Sequence, residues 1–247
     1  MKVAIFGYPR AGTTMLHSII TQHLVAAGVV QKWANLGEVF NPTAGSRIAV
    51  QSGHLIHQYN LAIPELQLRE DRLRLFKKHT NDDYIIKYMP YDITNPDTVK
   101  TVVEAGYNFV AIERRNSLSA YLSVIIAYHH QIWHITEEVP RSEYKPFVAS
   151  EEEIIGLGKS MSLYHRYRDY LNPSAILYYE DVATQSSFET LKQAGVYQKG
   201  APVKDAYSKK IHSFEDKTKL IINLGEVADY LTGILLPYGV TMEHNEL

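Results

Sequence analysis

Two short stretches of this 247-residue chain carry side chains whose types and spacing suit phosphate chemistry. The first is Gly7-Tyr8-Pro9-Arg10-Ala11-Gly12-Thr13-Thr14. It follows the apolar run Val3-Ala4-Ile5-Phe6 and precedes a helical pattern through Leu16, Ile19, Ile20, His23, Leu24 and Ala27. A strand, a glycine-containing turn and a helix aim unpaired backbone N–H groups and the positive helix end at an anion. Arg10 adds a cation there, and Thr13 and Thr14 add two hydroxyls. An ordinary βα turn also uses glycine but has no need of that trio. The second stretch is Glu113-Arg114-Arg115-Asn116, with Ser123 eight positions after Arg115. It closes an apolar run, Tyr107–Ile112, and ligands of open α/β sheets settle at the carboxyl ends of strands. A guanidinium forks onto two phosphate oxygens, and Ser123 lies within two turns of the start of the following helix. Taken alone, the arginine pair suits a surface ion pair with Glu113 equally well.

The spacing Gly7-x4-Gly12-x-Thr14 matches a Walker A loop except at Thr13, where that loop carries the lysine that reaches the β/γ-phosphates. The cation stands instead at Arg10. In this form Tyr8-Pro9-Arg10-Ala11-Gly12-Thr13-Thr14 resembles the phosphosulfate-binding loop of PAPS-dependent sulfotransferases: an aromatic, Pro, Lys or Arg, a small residue, Gly, Thr or Ser, Thr. Arg115-Asn116-x6-Ser123 resembles the 3′-phosphate-binding segment of the cytosolic members of that family. PAPS needs two phosphate sites, one for its 5′-phosphosulfate and one for its 3′-phosphate, whereas ATP needs only the first. A third stretch, Tyr178-Tyr179-Glu180-Asp181, resembles the family's Tyr-Glu-Asp segment, whose Tyr lies near the adenine; an aromatic strand end followed by an acidic cap reads the same way.

The resemblance runs from Tyr8 to Asp181 and implies a P-loop-like nucleotide-binding fold, PAPS as donor, PAP as product, and a small-molecule or glycan acceptor. Carried over residue by residue, it implies donor binding by Pro9, Arg10, Ala11, Gly12, Thr13, Thr14, Arg115, Ser123 and Tyr179. Arg10 is then also the catalytic cation, and no metal is expected. Two departures stand out. The cytosolic enzymes take the acceptor's proton on a His within Lys-Thr-His-Leu-Pro, and the nearest stretch here, Lys87-Tyr88-Met89-Pro90, has none. The family's C-terminal Arg-Lys-Gly is also absent, leaving Lys209, Lys210 and His212 as candidates for that basic contact. Leu36-Gly37-Glu38-Val39-Phe40 resembles the segment that carries a carboxylate base in bacterial trehalose sulfotransferases, which makes Glu38 the candidate base, against a plain turn carboxylate. His54, His57, His129, His130 and His134 are the histidine alternatives. His129-His130-x3-His134 has a metal-like spacing, but no Glu-x-x-His accompanies it.

Composition sets the bounds around these motifs. Hydrophobic residues make up 45% and charged residues 21%, enough for a full core, and a net charge of −2 gives no general basic field for nucleic acid. The absence of cysteine excludes disulfides and thiolate metal sites and agrees with a reducing, cytoplasmic setting. The four-residue apolar run at the start is too short for a signal peptide, and no stretch approaches the roughly 20 apolar residues of a membrane span. Neither nucleic acid nor membrane is expected as partner, and homo-oligomerisation is left open.

Further along, the spacing predicts strands over Tyr84–Tyr88, Tyr107–Ile112 and Ala175–Tyr179. Helices are predicted over 95–105, 117–133, 151–170, 188–194 and 217–235, with a charged covering helix at 65–78. Asn35-Leu36-Gly37-Glu38 reads as a turn, and 41–53 and 140–150 as loops; Ser150-Glu151-Glu152-Glu153 is a capping box. Short apolar strands alternating with helices argue for an α/β fold in three layers, a parallel sheet flanked by helices, as one domain over 1–247. Two rivals to sulfuryl transfer remain: a P-loop kinase with Glu113 as a Walker-B-like acid on Mg²⁺, and a non-catalytic PAP- or nucleotide-binding module.

Overall fold

The computed structural model describes residues 1–29, 35–37, 85–90, 96–130, 144–182, 185–196 and 214–240. Glu38, His54, His57, His134, Lys209, Lys210 and His212, the predicted 65–78 helix and the 41–53 loop lie outside them. Among the described residues five strands form one sheet: β1 (Val3–Phe6), β2 (Asn35–Gly37), β3 (Ile85–Tyr88), β4 (Asn108–Glu113) and β5 (Ala175–Tyr178). Their order is β2-β3-β1-β4-β5 and every adjacent pair is parallel. Every residue of β1 and β3 is buried, which is why β1 reads as an unbroken apolar run and β3 as one interrupted only by Lys87, rather than as alternating patterns.

The helices are α1 (Thr13–Ala26), α2 (Pro96–Glu104), α3 (Ser117–His129), α4 (Glu151–Leu171), α5 (Gln185–Gln193), α6 (Phe214–Leu220) and α7 (Leu224–Leu235). Strand register decides which face each covers. Phe6 pairs with Tyr88 and Ala111, so these side chains share one face with Glu113, two residues beyond Ala111. Tyr164 of α4 stacks on Phe6 there at 4.8 Å between ring centres. Ile5 pairs with Lys87 on the opposite face, where α1 packs on β1 and β3. Helices thus cover both sides of a parallel sheet, in agreement with the three-layer α/β expectation.

Several boundaries differ from those the spacing predicts, for reasons outside the local sequence. Asn35–Gly37 is a strand rather than a turn, because it pairs with β3 across an irregular register. The helix expected over 217–235 is two helices. Between them Ile221 bridges Phe147, whose N–H donates to Leu220 O at 2.9 Å and whose carbonyl accepts from Ile222 N at 2.8 Å. Asn223 completes the break by donating to Ala149 O and accepting from Ala149 N. Helix α3 ends at His129, with His130 as its cap. The capping box at Ser150 and Glu153 forms as its sequence predicts, both reciprocal bonds being present.

Candidate phosphate-binding site

Strand β1 sits between β3 and β4, so the connections leaving it and arriving beside it diverge to opposite sides of the sheet. Open α/β sheets hold ligands at such a switch point, outside the carboxyl ends of the strands. The turn Gly7–Gly12 stands there, and close packing fixes its composition. A Cβ at Gly7 would lie 2.6 Å from Thr13 Cγ2 and 2.9 Å from the carbonyl oxygen of Ile112. Gly12 has φ 106 and Arg10, although not glycine, has φ 66, both left-handed. Ala11 N–H closes the turn on Tyr8 O at 3.1 Å. Gly12 is also the N-cap of α1 and offers no side-chain acceptor, so the first N–H groups of the helix meet no capping side chain. A helix opening of this kind is suited to an anion.

Cationic side chains from three segments gather around the turn. Lys87, at the end of β3, is buried and donates from Nζ to Thr14 Oγ1 at 3.3 Å. Arg114, just past β4, lays its guanidinium 4.3 Å from the centre of the Tyr179 ring, and its backbone N–H donates to Tyr8 Oη at 2.8 Å. Its buried Nε meets no hydrogen-bond acceptor among the described residues. Burial, and then the positive charge of Arg114, push the Arg10 guanidinium below the usual arginine range. Two guanidiniums that repel each other under partial burial make a positive potential that an anion would relieve. Burial likewise pushes the Tyr8 phenol up, so it stays neutral as the acceptor of the Arg114 N–H.

Tyr179 ties the turn to this cluster. A Cβ at Gly12 would come within 2.4 Å of Tyr179 Cδ2, so ring and glycine are in direct contact. The predicted residues of the first loop and Tyr179 therefore meet in one place. Pro9 and Ala11 contribute backbone there, Thr13 is buried, and Thr14 is exposed toward Lys87.

Arg115 and Ser123 lie elsewhere. Arg115 forks onto Asp181, through Nη1 to Oδ1 at 2.9 Å and through Nη2 to Oδ2, with its guanidinium 4.9 Å from the Tyr178 ring centre. Ser123 donates to Ser119 O one turn back at 2.9 Å. The hydroxyl and carbonyl of Ser119 in turn accept from the buried ammonium of Lys217 on α6, at 2.8 and 3.1 Å. The two arginines, both past the end of β4, meet different partners after β5. Arg115 lies against Tyr178, which pairs with Glu113, while Arg114 lies against Tyr179, which packs on Gly12.

Glu113 points away from the turn. On the α4 face it accepts from Tyr164 Oη at 2.9 Å and Arg168 Nη1 at 3.0 Å. The sequence names Lys87 and Arg114 only as members of longer stretches, with no donor-binding role for either, and passes over Lys217. Lys87 carries a usable signal, since a charge inside the apolar run Tyr84–Tyr88 has to find a partner when buried.

His129 and His130 form a separate cluster. His129 stacks on Phe147 at 3.8 Å and its Nδ1 lies 3.1 Å from Glu153 Oε1, while His130 meets Tyr144 edge-on at 5.0 Å. Among the described residues no group of three or more His, Cys, Asp or Glu is placed to hold a metal ion, and no helix is long and apolar enough to cross a membrane. Compared with protein-family models, curated proteins and solved structures, the chain matches none.

Proposed function

We propose that the chain is a PAPS-dependent sulfotransferase, an enzyme with a P-loop-like nucleotide-binding fold that moves a sulfuryl group from PAPS to a hydroxyl or amine of a small molecule or glycan. The observation that carries the reading is the gathering of Lys87 and Arg114, from two strands flanking β1, around the Arg10-bearing turn. The donor set fits a phosphosulfate: the uncapped N–H groups opening α1, the Thr14 hydroxyl, three cations, and a buried Arg114 Nε with no acceptor among the described residues. Lys87 puts an ammonium beside Thr14, compensating for the lysine missing at Thr13.

Bound there, PAPS supplies an activated sulfuryl group and a phosphate oxygen that takes the electron pair as the S–O bond breaks. Arg10, Lys87 and the N–H groups opening α1 hold that growing negative charge, and fixed donors of this kind are worth about 10²–10³ each in rate. Tyr179, packed against Gly12 and stacked under Arg114, offers a ring for the adenine. Arg115 and Ser123 remain the proposed 3′-phosphate residues, and the Lys217 ammonium reaches the Ser123 side through Ser119, which both side chains engage. Glu38 is the proposed base for the acceptor's proton.

The kinase reading requires an acid on Mg²⁺ beside Thr14. Glu113, its candidate, is engaged by Tyr164 and Arg168 on the opposite face of the sheet, which favours metal-free sulfuryl transfer. A thermal melt with PAP, ADP and ATP, with and without Mg²⁺, tests the reading. A ligand at 100 times its Kd adds about 2.7 kcal/mol, readily seen in a melt. PAP without Mg²⁺ is expected to raise Tm more than ADP does. Equal shifts from PAP and ADP, or a strict need for Mg²⁺, would transfer the assignment to the kinase.

A further inference from the structure

Donors at the end of β4 that suit a second phosphate already carry acids. The Arg115 guanidinium is forked by both oxygens of Asp181, the geometry it would otherwise make with two phosphate oxygens. The Arg115 backbone N–H is also occupied, by Glu180 Oε2 at 3.3 Å. Both carboxylates come from one short turn, Tyr179–Asp181, directly after β5. The pair is open to water, the Arg115 and Asp181 side chains being 54% and 36% exposed. An exposed fork holds its partners only weakly, so an incoming dianion is able to displace it. Arg115 does not depend on Asp181 for its position, because its guanidinium also rests on the Tyr178 ring at 4.9 Å.

We propose that Asp181 is a built-in competitor for the second phosphate, an intramolecular carboxylate that holds the Arg115 fork until the 3′-phosphate of the nucleotide displaces it. The Asp181 residue thereby sets donor affinity and contributes selectivity, since only a nucleotide with a 3′-phosphate regains what breaking the pair loses. The inference rests on the sulfotransferase reading, and specifically on Arg115 as the 3′-phosphate residue. The Arg115 contact also holds the Asp181 carboxyl below the usual range, so the competitor stays charged at neutral pH.

The competitor and a merely structural pair predict opposite signs. In the full-length chain, Asp181→Asn keeps the shape and removes the charge. PAP affinity, measured by calorimetry, is then expected to tighten roughly three- to ten-fold, while ADP, which lacks the 3′-phosphate, binds as before. In an Arg115→Gln background the same change is expected to have no effect, because the competitor acts only through that fork. Unchanged or weaker PAP binding in Asp181→Asn would overturn the proposal, and so would a gain that survives in the Arg115→Gln background. Failure of the underlying reading looks different: the parent chain would bind PAP and ADP equally, whatever stands at position 181.

Discussion

The ring of Tyr179 occupies the place that any side chain at Gly12 would need, with Cδ2 only 2.4 Å from an ideal Cβ there. One contact thereby joins the first βα turn to the segment after the last strand, and the Arg114 guanidinium caps the same ring. The turn and the ring hold each other in place, so the candidate site is a product of β1, β4 and β5 together.

Gly12→Ala faces two separate penalties. Its φ of 106 costs an alanine about 1–2 kcal/mol, and the methyl group also collides with Tyr179. The variant is expected to melt lower and to lose PAP binding. In a Tyr179→Ala background the collision is relieved and the backbone penalty remains. Urea unfolding of the four chains of this cycle separates the two, and a full-sized loss in that background would mean the ring contact is unimportant.

Lys87→Met keeps the length of the side chain and deletes the charge beside Thr14. Burying a methionine in place of an ammonium is expected to leave stability within about 1 kcal/mol of the parent. PAP binding is expected to weaken about ten-fold or more, as measured by calorimetry. Unaltered PAP affinity would make Lys87 a structural anchor of α1 only.

His165 predicts an acid-sensitive fold. Burial holds its pKa near 4, against about 6.5 in the unfolded chain, and neither ring nitrogen has a hydrogen-bond partner among the described residues. Between those values the unfolded chain carries the extra proton, so stability is full above pH 6.5 and falls as pH drops toward 4. The slope approaches about 1.4 kcal/mol per pH unit inside that window. His165→Phe keeps a ring among Tyr8, Tyr164 and Tyr238 and removes the titration. Urea midpoints at pH 7 and pH 4.5 should therefore differ less in the variant, and equal pH dependence in both chains would assign acid sensitivity to other groups.

Glu38→Gln separates a base from a turn carboxylate. Gln keeps the size and hydrogen bonding but takes no proton, so kcat is expected to fall by about 10²–10⁴ with PAP affinity intact. Slow hydrolysis of PAPS to PAP serves as the assay without an acceptor, water taking its place. Normal turnover in the variant would move the role to a histidine, with His54 and His57 first.

The sequence by itself determined the elements whose causes are local. The apolar run Val3–Phe6, the glycine turn and the helical spacing after Thr13 specify the strand, turn and helix that open the site, and Ser150 with Glu153 specifies the start of α4. Continuous apolar strands between helices likewise announced a buried parallel sheet. Tertiary structure decided everything that depends on pairing across the chain. Register against β1 turns Lys87 toward Thr14, and the pairing of β4 with β5 sends Arg114 to the glycine turn and Arg115 to Asp181. Both arginines lie past the end of β4, where local pattern does not fix direction, so their order in sequence does not say which one meets the turn and which one meets Asp181. The same non-local cause makes Asn35–Gly37 a strand, through β3, and divides the last helical stretch where Ile221 bridges Phe147.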